Sequence, residues 1–303
     1  MKKTSAFTTF LLFLTAMIWG FAFVAQVGGL DYVGPLTLNG TRFAVGVISL
    51  LPVVLIFERG RRERAEQKKT VLASLCAGSV LFAASTLQQI GIAYTKSAGV
   101  AGFITGIYIV LVPIAGFLLF RHKTRLGIWG GAVLAVIGLF LLCFKAGDGF
   151  YFGIGELLLL IGSFFWTAHI LVIDRMAGSL RPLHFAWGQF VVCAALGLIS
   201  MFLFESPTLG GIWEAKWAIL YCGVLSVGVA YTLQVVAQRR ADPTFATIVM
   251  STESAFSALG GVLFGIDSIS PIGYLGCAVI FVGILISQIS VARVDTDAPS
   301  KVE

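Results

Sequence analysis

Ten apolar segments follow one another along the chain, at about residues 7–27, 36–57, 71–93, 98–119, 126–144, 154–174, 183–204, 217–237, 244–264 and 271–291. A helix rises about 1.5 Å per residue, so about 20 apolar residues cross the hydrocarbon core of a bilayer. The pattern predicts an all-α integral membrane protein of ten transmembrane helices. Asp242-Pro243 and Ser270-Pro271 each place a capping residue before a proline at the first helical position. Connections are short, which predicts antiparallel neighbours. Lys2 and Lys3 before an apolar run imitate a secretory signal peptide. That run is about 20 residues, long for a signal core, and takes part in the repeat described below, so it reads as a retained helix.

Polar positions inside these segments are few, and one organises the rest. Pro243–Gly265 holds 23 residues and a single charge, Glu253, the eleventh of them. Glu253 is therefore predicted near the bilayer midplane, where a carboxylate is costly and faces a bundle interior or wet cavity. Ser251, Thr252, Ser254 and Ser257 lie close enough to bond a merely structural glutamate. The working reading is that Glu253 lines a substrate or proton path.

Composition excludes a soluble domain: 58% of residues are hydrophobic, 12% are charged and the mean hydropathy is +0.95, against about 25% charge in soluble proteins. Cys76, Cys143, Cys193, Cys222 and Cys277 fall singly in apolar runs, without metal or redox spacing, and read as small apolar side chains. The net charge of +6 could suggest nucleic acid, but its distribution argues otherwise. With a cytoplasmic N-terminus, seventeen Lys and Arg fall in inside loops and three (Lys96, Lys145, Lys216) in outside loops, leaving Arg42 within the second segment. This bias predicts that both termini are cytoplasmic. The Glu58–Lys69 run is then a solvated loop, and no nucleic-acid partner is expected.

The second half of the chain repeats the first. A shift of 147 pairs Trp19 with Trp166, Pro35 with Pro182, Leu36 with Leu183 and Phe43 with Phe190. A shift of 145 pairs Leu75 with Leu220, Gly78 with Gly223, Gln89 with Gln234, Gly116 with Gly261, Gly131 with Gly276 and Gly138 with Gly283. Five helices per repeat is an odd number, so the halves insert with opposite orientation. That is the inverted-repeat plan of many secondary transporters, with a site near the midplane between the halves. The expected units are residues 1–147, 148–292 and a cytoplasmic tail, 293–303.

With two five-helix repeats, the chain resembles the EamA family of the drug/metabolite transporter superfamily. Local matches are Trp19-Gly20, Thr41-Arg42-Phe43, Ala93-Tyr94-Thr95-Lys96-Ser97-Ala98, Pro113–Phe120 and Gln238-Arg239-Arg240-Ala241-Asp242-Pro243. The resemblance covers about residues 7–291 and implies the fold and a carrier of amino acids, nucleosides, drugs or other metabolites. The family's Glu-Pro step in the ninth helix reads Glu253-Ser254 here, so a helix break beside Glu253 is not carried over. The position 145 residues earlier is Tyr108, with a displaced Pro113 beyond it.

Other intramembrane polar and aromatic residues complete the candidate set. Gln89 and Gln234 obey the repeat, beside Gln88 and Tyr231; their amides could bind a polar solute or join helices. Trp19 and Trp166 obey it too, at mid-depth instead of in an interfacial belt, as cavity walls or packing. His169 could relay protons or be a satisfied core histidine. Arg42 is within snorkelling reach of the outer interface. An ion pair such as one with Glu156, or a stretch to lipid phosphate, is favoured there over an anionic substrate. Gln26 and Asn39 are weaker candidates. No nucleophile elbow, nucleotide loop or metal spacing points to an enzyme, and no cofactor is expected. The sequence reads as a plasma-membrane permease, an exporter before an importer, working by alternating access. Its expected partners are a small-molecule substrate, the lipid bilayer, a coupled proton and, as a candidate assembly, a second copy of the chain. A lipid-intermediate flippase and a non-transporting membrane sensor are the alternatives.

Overall fold

The computed structural model describes residues 6–60, 63–120, 126–142, 144–145, 149–150, 152–241, 243–267 and 270–297. Its helices are α1 (Ala6–Gly29), α2 (Pro35–Phe57), α3 (Arg64–Thr95), α4 (Ala98–Thr105), α5 (Tyr108–Phe120) and α6 (Leu126–Leu142). After a two-residue antiparallel ladder, β1 (Phe144–Lys145) with β2 (Gly149–Phe150), come α7 (Ile154–Met176), α8 (Pro182–Phe204), α9 (Leu209–Glu214) and α10 (Lys216–Leu220). A π-helical stretch, Tyr221–Tyr231, leads into α11 (Thr232–Gln238), α12 (Pro243–Met250), α13 (Thr252–Leu263) and α14 (Pro271–Asp297). Among the described residues seven helices are long and apolar enough to cross a membrane, counting α4–α5 and α10–α11 as one each. Trp129–Gly138 and Pro271–Gly283 are shorter apolar stretches.

Local sequence explains the starts. Pro35 and Pro182 open α2 and α8, where a missing N–H costs no hydrogen bond. Ser97 Oγ accepts from Val100 N at the start of α4 and Ser270 Oγ from Gly273 N at the start of α14. Of the two predicted caps, Ser270 therefore behaves as expected, whereas Asp242 lies outside the described residues.

The bundle keeps polar side chains within an otherwise apolar core and exposes apolar ones. Gln88, Gln89, His169, Gln189, Gln234 and Glu253 are buried, while Ile48, Leu55, Leu72, Phe202 and Leu263 are exposed. In water that arrangement would be unstable; in lipid the exposed side chains are solvated by hydrocarbon and the backbone is satisfied within helices. α2 lies along α8, α6 along α14, α3 along α7 and α1 along α13, so the two halves interlock. α2 and α8 approach most closely at Gly40 and Gly197, where a Cβ on Gly40 would sit 3.0 Å from the Gly197 carbonyl.

Three carboxylates tie helix ends together. Glu205, just past α8, accepts from Leu36 N (2.9 Å), Thr37 N (2.8 Å) and Thr37 Oγ1 (2.6 Å) at the start of α2. Glu58, just past α2, accepts from Leu183 N (3.0 Å) and His184 N (3.0 Å) at the start of α8, and pairs with His184 Nδ1. The 147-residue shift superposes these two clamps, one at each end of the α2–α8 pair. Asp267, beyond α13, accepts from Ala98 N (3.0 Å) and Gly99 N (2.7 Å) at the start of α4. Each supplies anionic acceptors to unpaired N–H groups at a positive helix end.

Two expected continuous spans are broken. The fourth stops at Thr105 and resumes at Tyr108; the ninth stops at Met250 and resumes at Thr252. Beside Glu253 the regular helix is thus interrupted at Ser251 without the Glu-Pro step, while the Ser251 backbone stays in the α region and its N–H still donates to Thr247 O (2.9 Å). The breaks are in register, since Gly106 and Ser251 are 145 residues apart. Ser254 Oγ donates to Gly102 O (2.8 Å), binding one broken span to the other beside the gap.

Candidate functional site

The broken spans meet at a cavity halfway along the bundle. Its wall comprises Trp19, Ala22, Phe23 and Gln26 of α1, Arg42 of α2, Gln88 of α3, Thr105 and Tyr108 at the first break, Trp166 and Ile170 of α7, Ser226, Tyr231 and Gln234 of the eighth span, and Glu253. The space between these side chains is narrow: only about 40 Å³ admits the centre of a water-sized sphere. A water needs about 10–15 Å³ by that measure, so the free space is the size of a few waters and smaller than a metabolite.

Eight of the ten residues singled out in the sequence line this cavity: Glu253, Gln234, Gln88, Tyr108, Tyr231, Trp19, Trp166 and Arg42. Tyr108 and Glu253 hold equivalent places in the two repeats and face one another. The Tyr108 hydroxyl and Glu253 Oε1 are close enough to interact, yet neither makes a hydrogen bond of good geometry. Thr105 Oγ1, Trp166 Nε1, Gln234 Oε1 and Gln26 Oε1 are also without partners. Buried polar groups are nearly always satisfied, so these atoms call for water or another polar group in the cavity.

Tyr231 is the hub of the aromatic wall. Its ring centroid is 4.7 Å from that of Trp19, 6.1 Å from that of Trp166 (stacked), 6.2 Å from that of Phe43 and 5.9 Å from that of Phe190. Trp19 Nε1 donates to Ser226 O (3.3 Å), a carbonyl of the π-helical stretch. Gly20 lets α1 reach α13: a Cβ there would lie 2.8 Å from Glu253 O and strike the Phe256 side chain. The Trp19-Gly20 step thus places its ring on the cavity and its backbone against Glu253.

Two candidates fall outside the wall. Gln89 is fully buried with both amide atoms unpartnered, so the equivalence of Gln89 and Gln234 does not carry into the cavity. His169 lies behind the wall, donating Nε2 to Gln189 Oε1 (2.9 Å) with its ring 6.3 Å from Tyr231. Arg42 requires a correction. It is 3% exposed and so does not stretch to lipid, and Glu156 is engaged elsewhere, accepting from Gly153 N (3.0 Å) to cap α7. The packing of α2 on α8 turns Arg42 inward. Ser226 and Thr105 were not singled out: their repeat partners are Leu81 and Met250, so a search for repeated polar residues passes over both. Among the described residues no cluster of ligating side chains could hold a metal ion.

The model of the EamA-like transporter family matches the chain twice, over residues 6–144 and 153–288. An uncharacterized transporter of Archaeoglobus fulgidus is 27% identical over 92% of this chain and 85% of its own length. The uncharacterized inner membrane transporter YedA of Escherichia coli is 24% identical over 91% and 88%. A solved crystal structure, 21% identical, superposes with a TM-score of 0.71 over 96% of this chain and 99% of that one, a likeness of fold. The chain belongs to the EamA-like transporter family and is a multi-pass membrane transporter.

Proposed function

We propose that the protein is a plasma-membrane secondary transporter that exports small metabolites, amino acids or related polar and amphipathic solutes, by alternating access. Ten transmembrane helices would form two inverted repeats, residues 1–147 and 148–292, with both termini cytoplasmic. The observation that supports the reading is the narrow cavity beside the interrupted spans, with Glu253 and Tyr108 facing one another on its wall. Sites of inverted-repeat carriers form at such discontinuous helices. Glu253 binds a proton or a cationic group of the solute, Gln88 and Gln234 offer polar contacts, and Trp19, Trp166 and Tyr231 shape the pocket.

The test is untargeted metabolite profiling of medium and cytosol from cells carrying no copy, the wild type or Glu253→Gln. The expected result is a solute enriched outside with wild type alone, while the variant folds and reaches the membrane. Equal movement by both proteins would demote Glu253 to a structural residue, and transport unchanged across pH would remove the proton path. Lipid flipping is the second reading. It is favoured by a groove of about 700 Å³ between Phe21, Val24, Gly28, Trp217, Tyr221 and Phe264. Phe21, Val24 and Gly28 lie on a different face of α1 from the cavity residues Ala22, Phe23 and Gln26, so α1 stands between this groove and Glu253.

A further inference from the structure

Arg42 is a buried cation on the cavity wall, and among the described residues no carboxylate pairs with it. Its side-chain bonds go to a neutral partner: Nε (3.1 Å) and Nη2 (2.8 Å) both donate to Asn39 Oδ1. Asn39 is itself fully buried and pinned from the other side, its Nδ2 donating to Ser85 Oγ (3.2 Å) and Thr86 Oγ1 (3.0 Å) of α3. The remaining neighbours of the guanidinium are the Phe43 ring (5.3 Å to the centroid), the Cys193 and Cys222 thiols and the Tyr231 phenol. Glu253 lies on the same cavity without pairing to it. Arginine stays charged in proteins, and a buried charge without a counter-ion is costly. An amide that holds the guanidinium by one edge orients it without neutralising it, and the Cys222 thiol that also approaches the guanidinium is a weak, neutral acceptor, so neither supplies a counter-ion.

The geometry points to Arg42 as a carboxylate-binding subsite, with Asn39 its positioning residue, so that the transported solute carries a carboxylate. This deepens the transport reading and rests on the cavity being its site. Guanidinium and carboxylate match in a planar, two-bonded geometry, and the aromatic wall beside Arg42 suits an apolar body attached to that carboxylate. Glu253, elsewhere on the same wall, then answers a proton or an ammonium group on the same solute.

The discriminating variant is Asn39→Asp. It places a carboxylate of the same shape against Arg42, so the guanidinium is neutralised from within, while the Ser85 and Thr86 hydroxyls can turn to donate to it. Tryptophan emission of purified protein reports on the cavity through Trp19 and Trp166. It is titrated with acetate and benzoate, and with acetamide and benzamide as uncharged counterparts. The expected result is saturable carboxylate binding to wild type, weakened at least tenfold in Asn39→Asp and Arg42→Gln, with the amides bound by none. Asn39→Asp should melt at or above the wild-type temperature, which separates loss of the subsite from loss of folding. Binding of a carboxylate equally by wild type and Asn39→Asp, equal binding of amides, or no saturable binding of either carboxylate to wild type would overturn the proposal. Binding without any transport in cells would leave the subsite standing and remove the transport reading. Transport of a solute with no carboxylate would do the reverse.

Discussion

Glu58 and Glu205 do for the helix ends what Glu253 cannot do for itself, since each finds donors at once. Each carboxylate accepts two backbone N–H bonds from a helix of the opposite half, and each adds a side-chain partner, His184 or Thr37. Hydrogen bonds to charged groups contribute about 1.5–3 kcal/mol where they are shielded from water. Glu205→Ala is therefore expected to lower stability by about that amount, read as a lower melting temperature in detergent, and Glu58→Ala to do the same from the other end of the pair. Melting temperatures unchanged in both variants would mean that glycine packing alone holds α2 to α8. Glu253 contrasts with both in that its Oε1, in the interior, makes no hydrogen bond of good geometry, and the transport role proposed for it rests on that contrast.

At the scale of elements, the broken spans and the glycine crossing of α1 place the site. Gly20→Val would push α1 off α13, moving Trp19 and Glu253 apart; overpacking of this kind costs about 1–3 kcal/mol. Transport should be lost in Gly20→Val, whereas Gly28→Val, on the same helix with open space around it, should transport as wild type. Equal activity in both would detach the Trp19-Gly20 step from function. The apolar runs, the helix starts and the register of the repeats were legible in the sequence because they depend on local composition and spacing. The breaks were not, because no proline marks Gly106 or Ser251. The π-helical stretch was also illegible, since its first-repeat counterpart, inside α3, is an ordinary α-helix. Glu253 was found from depth alone, but the inward turn of Arg42 depends on how α2 rotates against α8, which only packing decides. Ser226 and Thr105 were missed for the same reason that Gln89 was overvalued: a site inside two pseudo-symmetric halves need not itself be symmetric.

That asymmetry matters for the whole molecule. Equivalent positions carry Tyr108 in one half and Glu253 in the other, so the two halves line one cavity with a neutral hydroxyl and a carboxylate. In the proposed cycle, rocking of inverted repeats would exchange which end is open, and the α2–α8 pair, clamped by Glu205 at one end and Glu58 at the other, would be its fixed axis. Which end is outside then follows from charge. The end with Glu58, Glu66, Arg181 and Arg239 carries the basic excess, and the end with Glu205, Gly210 and Asp267 is poor in Lys and Arg. By the positive-inside bias the first of these is expected in the cytoplasm. Single-cysteine variants in a cysteine-free background test this with a membrane-impermeant maleimide on intact cells. Gly210→Cys, at an exposed site with open space around it, is expected to label at once, and Lys68→Cys, also exposed, only after permeabilisation. The reverse pattern would invert the transporter in the membrane and turn the proposed export into uptake, with the cavity and its carboxylate subsite unchanged.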